Sequence, residues 1–135
     1  MQIHILRLKP GQDLRQSLIN YVTEKQLKAG FVVTCVGSLQ RVAIRMADQP
    51  GTMAYNRKFE IVSLSGTLSV EHTHLKLAVS DDTGAVIGGH LQDGCTIYTT
   101  AEIVIGAADD VVFRRTLDED TGFPELVVDK VTPHE

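Results

Sequence analysis

The sequence predicts a strand-rich domain built around one helix, and three observations carry that prediction. At 135 residues the chain is the size of a single domain, read here as residues 1–135, and it can bury one ordinary hydrophobic core. Only one segment repeats its apolar residues at helical spacing. Nearly everything else falls into β-branched or alternating runs separated by turn signals. Tryptophan is absent and aromatic residues make up only 5%, so Val, Ile and Leu must fill most of that core.

Taken in order, Ile3, Ile5 and Leu8 open a strand that Pro10-Gly11 ends. Asp13 is placed to cap a helix, with Gln16 three residues on as a weak capping box. Leu14, Leu18, Tyr21, Val22 and Leu27 then recur at helical spacing until Gly30, which can stop the helix. Phe31 to Val36 reads as a buried strand punctuated by Gly37-Ser38, and Leu39 to Met46 as the next, with Arg41 and Arg45 flanking Ala43 on one face. Ala47 to Tyr55, with Pro50-Gly51, reads as a loop. Phe59 to Val70 is strand-like, with a bulge expected at Gly66. Leu75, Leu77 and Val79 alternate with His74, Lys76 and Ala78 before the turn signal Asp81-Asp82-Thr83-Gly84, and Val86 and Ile87 begin the return strand. Thr96 to Ile105, Val111 to Arg115 and a short Leu126 to Val128 complete the strands.

The net charge of −4 and pI near 5.7 argue against a broad basic surface for nucleic acid. A local patch from Arg41, Arg45, Arg114 and Arg115 requires their strands to be neighbours. Cys35 and Cys95 are too few for a disulfide framework and lie in or beside apolar stretches. The chain shows no basic-then-apolar leader and no apolar run long enough to span a bilayer, which predicts a cytoplasmic protein without membrane association. There is no Gly-rich phosphate loop before a helix and no Gly-x-Ser-x-Gly.

The sharpest chemical signal is His72-Thr73-His74 followed by Gly88-Gly89-His90. Alternate residues of a strand share a face. A hairpin in which Val79 pairs with Ala85 sets His74 directly opposite His90, with His72 one pleat further along. A four-residue loop instead puts His90 on the other face unless Gly88-Gly89 bulges. Three imidazoles suit zinc or a similar ion and leave a fourth tetrahedral position open, whereas two histidines on a polar strand face are often simply solvated. Cys95 is close enough in sequence to be a fourth ligand, although a core thiol is the commoner role. Glu102 stands in an otherwise apolar strand, where a carboxylate is costly unless paired or beside a polar cavity; this makes it a candidate catalytic base or a partner to the metal ligands, although a salt bridge is the commoner role. Glu60, beside Arg57 and Lys58, reads as structural, and His4 and His134 as surface residues.

Two strings resemble a known family. Arg57-Lys58-Phe59-Glu60-Ile61-Val62-Ser63-Leu64-Ser65-Gly66 is similar to the first signature of the PPC domain, the plants-and-prokaryotes module found beside AT-hooks in plant nuclear proteins. The stretch from Leu75 to Ile105, centred on Val86-Ile87-Gly88-Gly89-His90-Leu91, resembles the second, and the likeness covers nearly the whole chain. The resemblance implies an α+β fold with a curved, largely antiparallel sheet packed with one main helix. It also implies a homotrimer and, as in prokaryotic members, a metal, zinc above all, at His72, His74 and His90. Plant members contact DNA through an Arg-Gly-Arg-Pro AT-hook, which is absent here, so the family's "DNA-binding" label transfers poorly. The fold is also similar to that of acetolactate decarboxylase, with its three-histidine zinc site, a fold-level analogy that carries no reaction.

Two functions are therefore expected. The first is a zinc-binding, homotrimeric PPC-type protein with a binding or regulatory role, open to a small-molecule ligand and weak toward duplex DNA. The alternative is a zinc-dependent enzyme acting on a small carbonyl or carboxylate substrate, with Glu102 moving a proton.

Overall fold

The structure, a computed structural model, describes residues 1–131, so His134 lies outside the described residues. Among the described residues nine strands and one helix follow the order β1 (Gln2–Leu8), α1 (Leu14–Lys25), β2 (Gly30–Arg45), β3 (Met53–Tyr55), β4 (Phe59–Leu68), β5 (Thr73–Ser80), β6 (Val86–Leu91), β7 (Thr96–Ala107), β8 (Val111–Leu117) and β9 (Pro124–Lys130). The main sheet runs β1-β7-β2-β4-β5-β6, every ladder antiparallel, with β3 beside the end of β2. This is the curved α+β arrangement that the sequence predicts.

β2 organises the molecule. Its first part lies between β7 and β4, while its end pairs with β3 on one edge and with β6 on the other, through Ile44↔Leu91 and Arg45↔His90. Because β6 also pairs with β5, strands β2, β4, β5 and β6 close on themselves. The sequence predicted two strands here, broken at Gly37-Ser38. The break is instead a register irregularity between Gly37 and Leu39, one of three along the β2–β7 ladder; such irregularities bend a strand without ending it.

The helix begins as expected. Asp13 Oδ1 accepts the Gln16 N–H at 2.9 Å, while Asp13 Oδ2 accepts the Gly94 N–H at 2.6 Å and ties the helix start to the β6–β7 connection. Its end differs from the expectation. Gln26 caps it in the left-handed region at φ 53, four residues before Gly30, which opens β2. Leaving the helix there returns Leu27, only 5% exposed, to the core beside Leu14, Leu18 and Val22.

Two more expectations are corrected. Part of the predicted 47–55 loop is strand β3, paired with residues 42–44. The bulge in β4 falls between Ile61 and Ser63 rather than at Gly66. Gly66 stays in register opposite Leu75, and its role is different: φ is +133, and a Cβ there would sit 1.9 Å from the His74 carbonyl oxygen. The inward side chains of these strands, including Leu39, Ile44, Leu68, Leu77, Val79, Ile97, Ile103 and Ile105, form one cluster with the helix. Cys35 and Cys95 are free and buried in it. β8 and β9, longer than the sequence suggested, form a separate hairpin held to the body by Phe113 N–H to the Lys28 carbonyl at 2.9 Å. Among the described residues no helix is long and apolar enough to cross a membrane.

Candidate functional site

The alternation of β5 buries Leu75, Leu77 and Val79 and turns His74 and Lys76 outward. β6 supplies His90 on the same outer side, next to the buried Leu91. The register is one pleat from the one the sequence suggested. Ser80 pairs with Val86 around a five-residue loop, so His90 faces Lys76 instead of His74. A shift of two residues preserves the face, and His74 becomes the diagonal neighbour of His90, with the rings stacked at 5.9 Å between centroids and 12° between planes. Gly88-Gly89 is not bulged. It pairs evenly with Ala78 and Leu77, and a Cβ on Gly89 would lie 2.6 Å from the Arg45 carbonyl oxygen. The glycine thus allows the close β2–β6 approach that places Arg45 beside His90.

His72 lies just before β5, in a turn in which its backbone N–H donates to Ser69 Oγ at 3.2 Å and its carbonyl accepts the Ser69 N–H at 2.9 Å. Its side chain nevertheless shares a cavity of about 560 Å³ with those of His74 and His90. Arg15 from the helix, Arg45 from β2, Arg115 from β8, and Phe123, Pro124 and Glu125 from the far hairpin complete the walls. The cavity is therefore a groove between the outer face of β5–β6 and the β8–β9 hairpin. Arg115 Nη2 donates to Thr67 Oγ1 of β4 at 3.2 Å, outside the cavity walls.

Burial lowers the pKa of all three histidines; Arg115 adds to this at His72 and His74, and Arg45 and Lys76 at His90. A lowered pKa favours the neutral imidazole, the form that offers a lone pair to a metal or a proton. As placed, however, they do not close around a point: among the described residues no three His, Cys, Asp or Glu side chains form a metal-holding group. The donor chemistry suits a borderline metal such as zinc, while sharing one ion requires the side chains to move from these positions. His72 and His74 are exposed, which leaves room for that movement.

The remaining predicted residues are placed elsewhere. Glu102 is exposed on the outer face of β7, between Arg7 of β1 and Val36 of β2 in register, and does not line the histidine cavity. The burial that singled it out does not occur. Cys95 is fully buried; its thiol donates to the Ala43 carbonyl at 3.3 Å, and burial raises its pKa to about 11. It is a core thiol, as is Cys35, pushed up by burial to about 12. His4 is half-buried rather than a surface residue, with Nδ1 2.8 Å from the Tyr21 hydroxyl. The four arginines do not form one patch. Arg41 donates to the Gly94 carbonyl, Arg114 pairs with Asp129 at 2.8 Å, and only Arg45 and Arg115 meet, at the cavity. Sequence reasoning missed Arg15 and Glu125, which reach the site from residues far away in the chain; no local spacing marks them.

Comparison with known proteins agrees with this architecture. Residues 1–109 match the family model of the Plants and Prokaryotes Conserved (PCC) domain. The bifunctional protein GlmU of Synechococcus sp. strain JA-3-3Ab is 45% identical over 131 residues, covering 97% of this chain and 21% of that protein. The chain thus spans about a fifth of that relative's length. Among solved structures, a hypothetical protein from Salmonella is 41% identical with a TM-score of 0.94, covering 96% of this chain and 94% of the other. A protein from Archaeoglobus fulgidus described as metal-containing is 25% identical with a TM-score of 0.79, covering 94% of each chain.

Proposed function

The chain belongs to the Plants and Prokaryotes Conserved domain family, and from that premise we propose that it is a metal-binding member with a binding or regulatory role, in which His72, His74 and His90 hold a divalent ion, zinc by preference. The observation that carries the reading is the gathering of three imidazoles in one open cavity. The metal-containing Archaeoglobus relative, which shares the fold and a quarter of the sequence, supports it.

We propose also that the working form is a homotrimer. The outer face of β1, β7 and β2 leaves Ile3, Ile5 and Val36 more than half exposed, an apolar surface of the kind that self-association covers. Duplex DNA is a poor fit as partner. With a net charge of −4 and only Arg15, Arg45 and Arg115 gathered at the cavity, the first of them paired with Asp93, the surface offers few phosphate contacts.

Elemental analysis of the purified protein and of His74→Ala tests the metal reading. The expected outcome is close to one metal ion per wild-type chain and a loss of most of it in the variant; equal content in both rejects the site. Light scattering on the same samples reads the assembly, and a monomer near 14.8 kDa rejects the trimer.

A further inference from the structure

The charges around the histidine cavity do not balance. Its walls carry three arginines, Arg15, Arg45 and Arg115, against a single carboxylate, Glu125, in a chain whose net charge is −4. Arg15 is neutralised by Asp93 at 2.9 Å. Neither the Arg45 nor the Arg115 guanidinium has a carboxylate oxygen within 4.0 Å among the described residues; Glu71 Oε1 meets Arg115 only at its backbone N–H, at 3.4 Å. Each spends a single donor on the protein, Arg115 on Thr67 Oγ1 at 3.2 Å and Arg45 on the Gln49 carbonyl at 3.3 Å, so most of each guanidinium fork is unused. They approach from opposite sides: Arg45 stands beside His90 in the β2–β6 register, and Arg115 reaches in from β8 toward the His74 partner Thr67.

We propose that the cavity receives a small oxyanion, the carboxylate or phosphate group of a small molecule, seated on Arg115 and Arg45 beside the histidines. A guanidinium matches such groups with paired, charge-assisted hydrogen bonds. About 560 Å³ is ample for a small ligand, and Phe123 and Pro124 offer an apolar wall to its carbon part. The anion leans on the metal reading for part of its affinity, since three neutral imidazoles leave a divalent ion's charge uncompensated, and on the arginines for its place. Arg115, Phe123 and Pro124 all lie beyond residue 109, outside the family match. The β8–β9 hairpin therefore adds the recognition element to a histidine face supplied by the family module.

Calorimetric titration of inorganic phosphate and of malonate tests this, each run on chelator-treated and on zinc-loaded protein in a buffer free of other oxyanions. Arg115→Gln and Arg45→Gln are titrated alongside, with circular dichroism confirming their fold; the second variant guards against loss of the hairpin anchor in the first. The expected result is saturable binding of at least one anion to the metal-free protein, weakened about tenfold or more in at least one folded variant, and tighter binding with zinc. The two anions distinguish a phosphate from a carboxylate ligand. Absence of saturable binding to the metal-free wild type, or equal binding in both variants, overturns the proposal. Arginine-dependent binding in a protein that takes up no zinc upholds it and rejects the metal reading alone.

Discussion

Strand β5 presents two surfaces one residue apart. Leu75, Leu77 and Val79 point inward and are at most 5% exposed, whereas His74 and Lys76 between them stand in the open. β6 repeats the contrast with Leu91 inside and His90 outside. The inner surface is specified by packing, since each side chain is enclosed by others of fixed volume. Little packs against the outer one, so what brings its side chains together is the backbone: the register of β5–β6, the close approach at Gly89 and the crossing hairpin. The core and the site thus depend on different features of the same strands, and substitutions can separate them.

The largest effect is expected where both surfaces share one support. Gly66 has φ +133, and a Cβ there would lie 1.9 Å from the His74 carbonyl oxygen, a backbone atom that cannot turn aside. Gly66→Ala must displace β5 from β4 in addition to its own strain, at a cost of roughly 3 kcal/mol or more. Thermal melting should show a severely destabilised protein that has lost its histidine cavity with its core. A melting temperature within a few degrees of wild type would mean that the strands have slack that the structure does not show.

Next come two substitutions that should move one surface each. Leu77→Ala empties a site only 1% exposed and should cost about 2–5 kcal/mol in urea denaturation, while the protein that remains folded keeps its metal content. His74→Ala removes an exposed ring and should leave the metal-free protein within about 0.5 kcal/mol of wild type, while the metal is lost. If His74→Ala destabilised the metal-free fold as much as Leu77→Ala, the outer face would be part of the packing after all.

This division explains how much was legible in the sequence. Helix α1 was readable because Asp13, Leu14, Leu18 and Val22 follow local rules that the structure obeys. The strands were readable by alternation, and the common face of His74 and His90 survived a register error because the period of a strand is two. The long, bent β2 was hidden, since its irregularities arise from pairing with β7 rather than from Gly37-Ser38 itself. Glu102 stands exposed because β7, although paired on both sides with β1 and β2, packs only one of its faces against the core. Arg15, Arg115 and Glu125 meet the histidines only through tertiary packing, which spacing cannot encode.

The smallest expected effect concerns the turn that sets the register. Asp81 Oδ1 accepts the Thr83 N–H at 2.9 Å, the Thr83 hydroxyl at 2.7 Å and the Ala85 N–H at 3.1 Å, and Arg57 lies 3.6 Å from Oδ2. These contacts, the Thr83 hydroxyl first, hold the Asp81 carboxyl below its ordinary pKa. A carboxylate whose pKa is lower in the folded than in the unfolded state adds stability above the unfolded value, roughly pH 4. That stability is lost as the pH falls through the folded value. Asp81→Asn keeps an oxygen acceptor in the turn but cannot titrate. Below about pH 4 the melting temperature of the wild type should therefore fall more steeply than that of the variant, by a few degrees at most for one group at the surface. Parallel curves from neutral pH into acid would show that the charge of Asp81 does not hold the loop. The register that sets His90 opposite Lys76 would then rest on Gly88-Gly89 and the β2–β6 ladder alone.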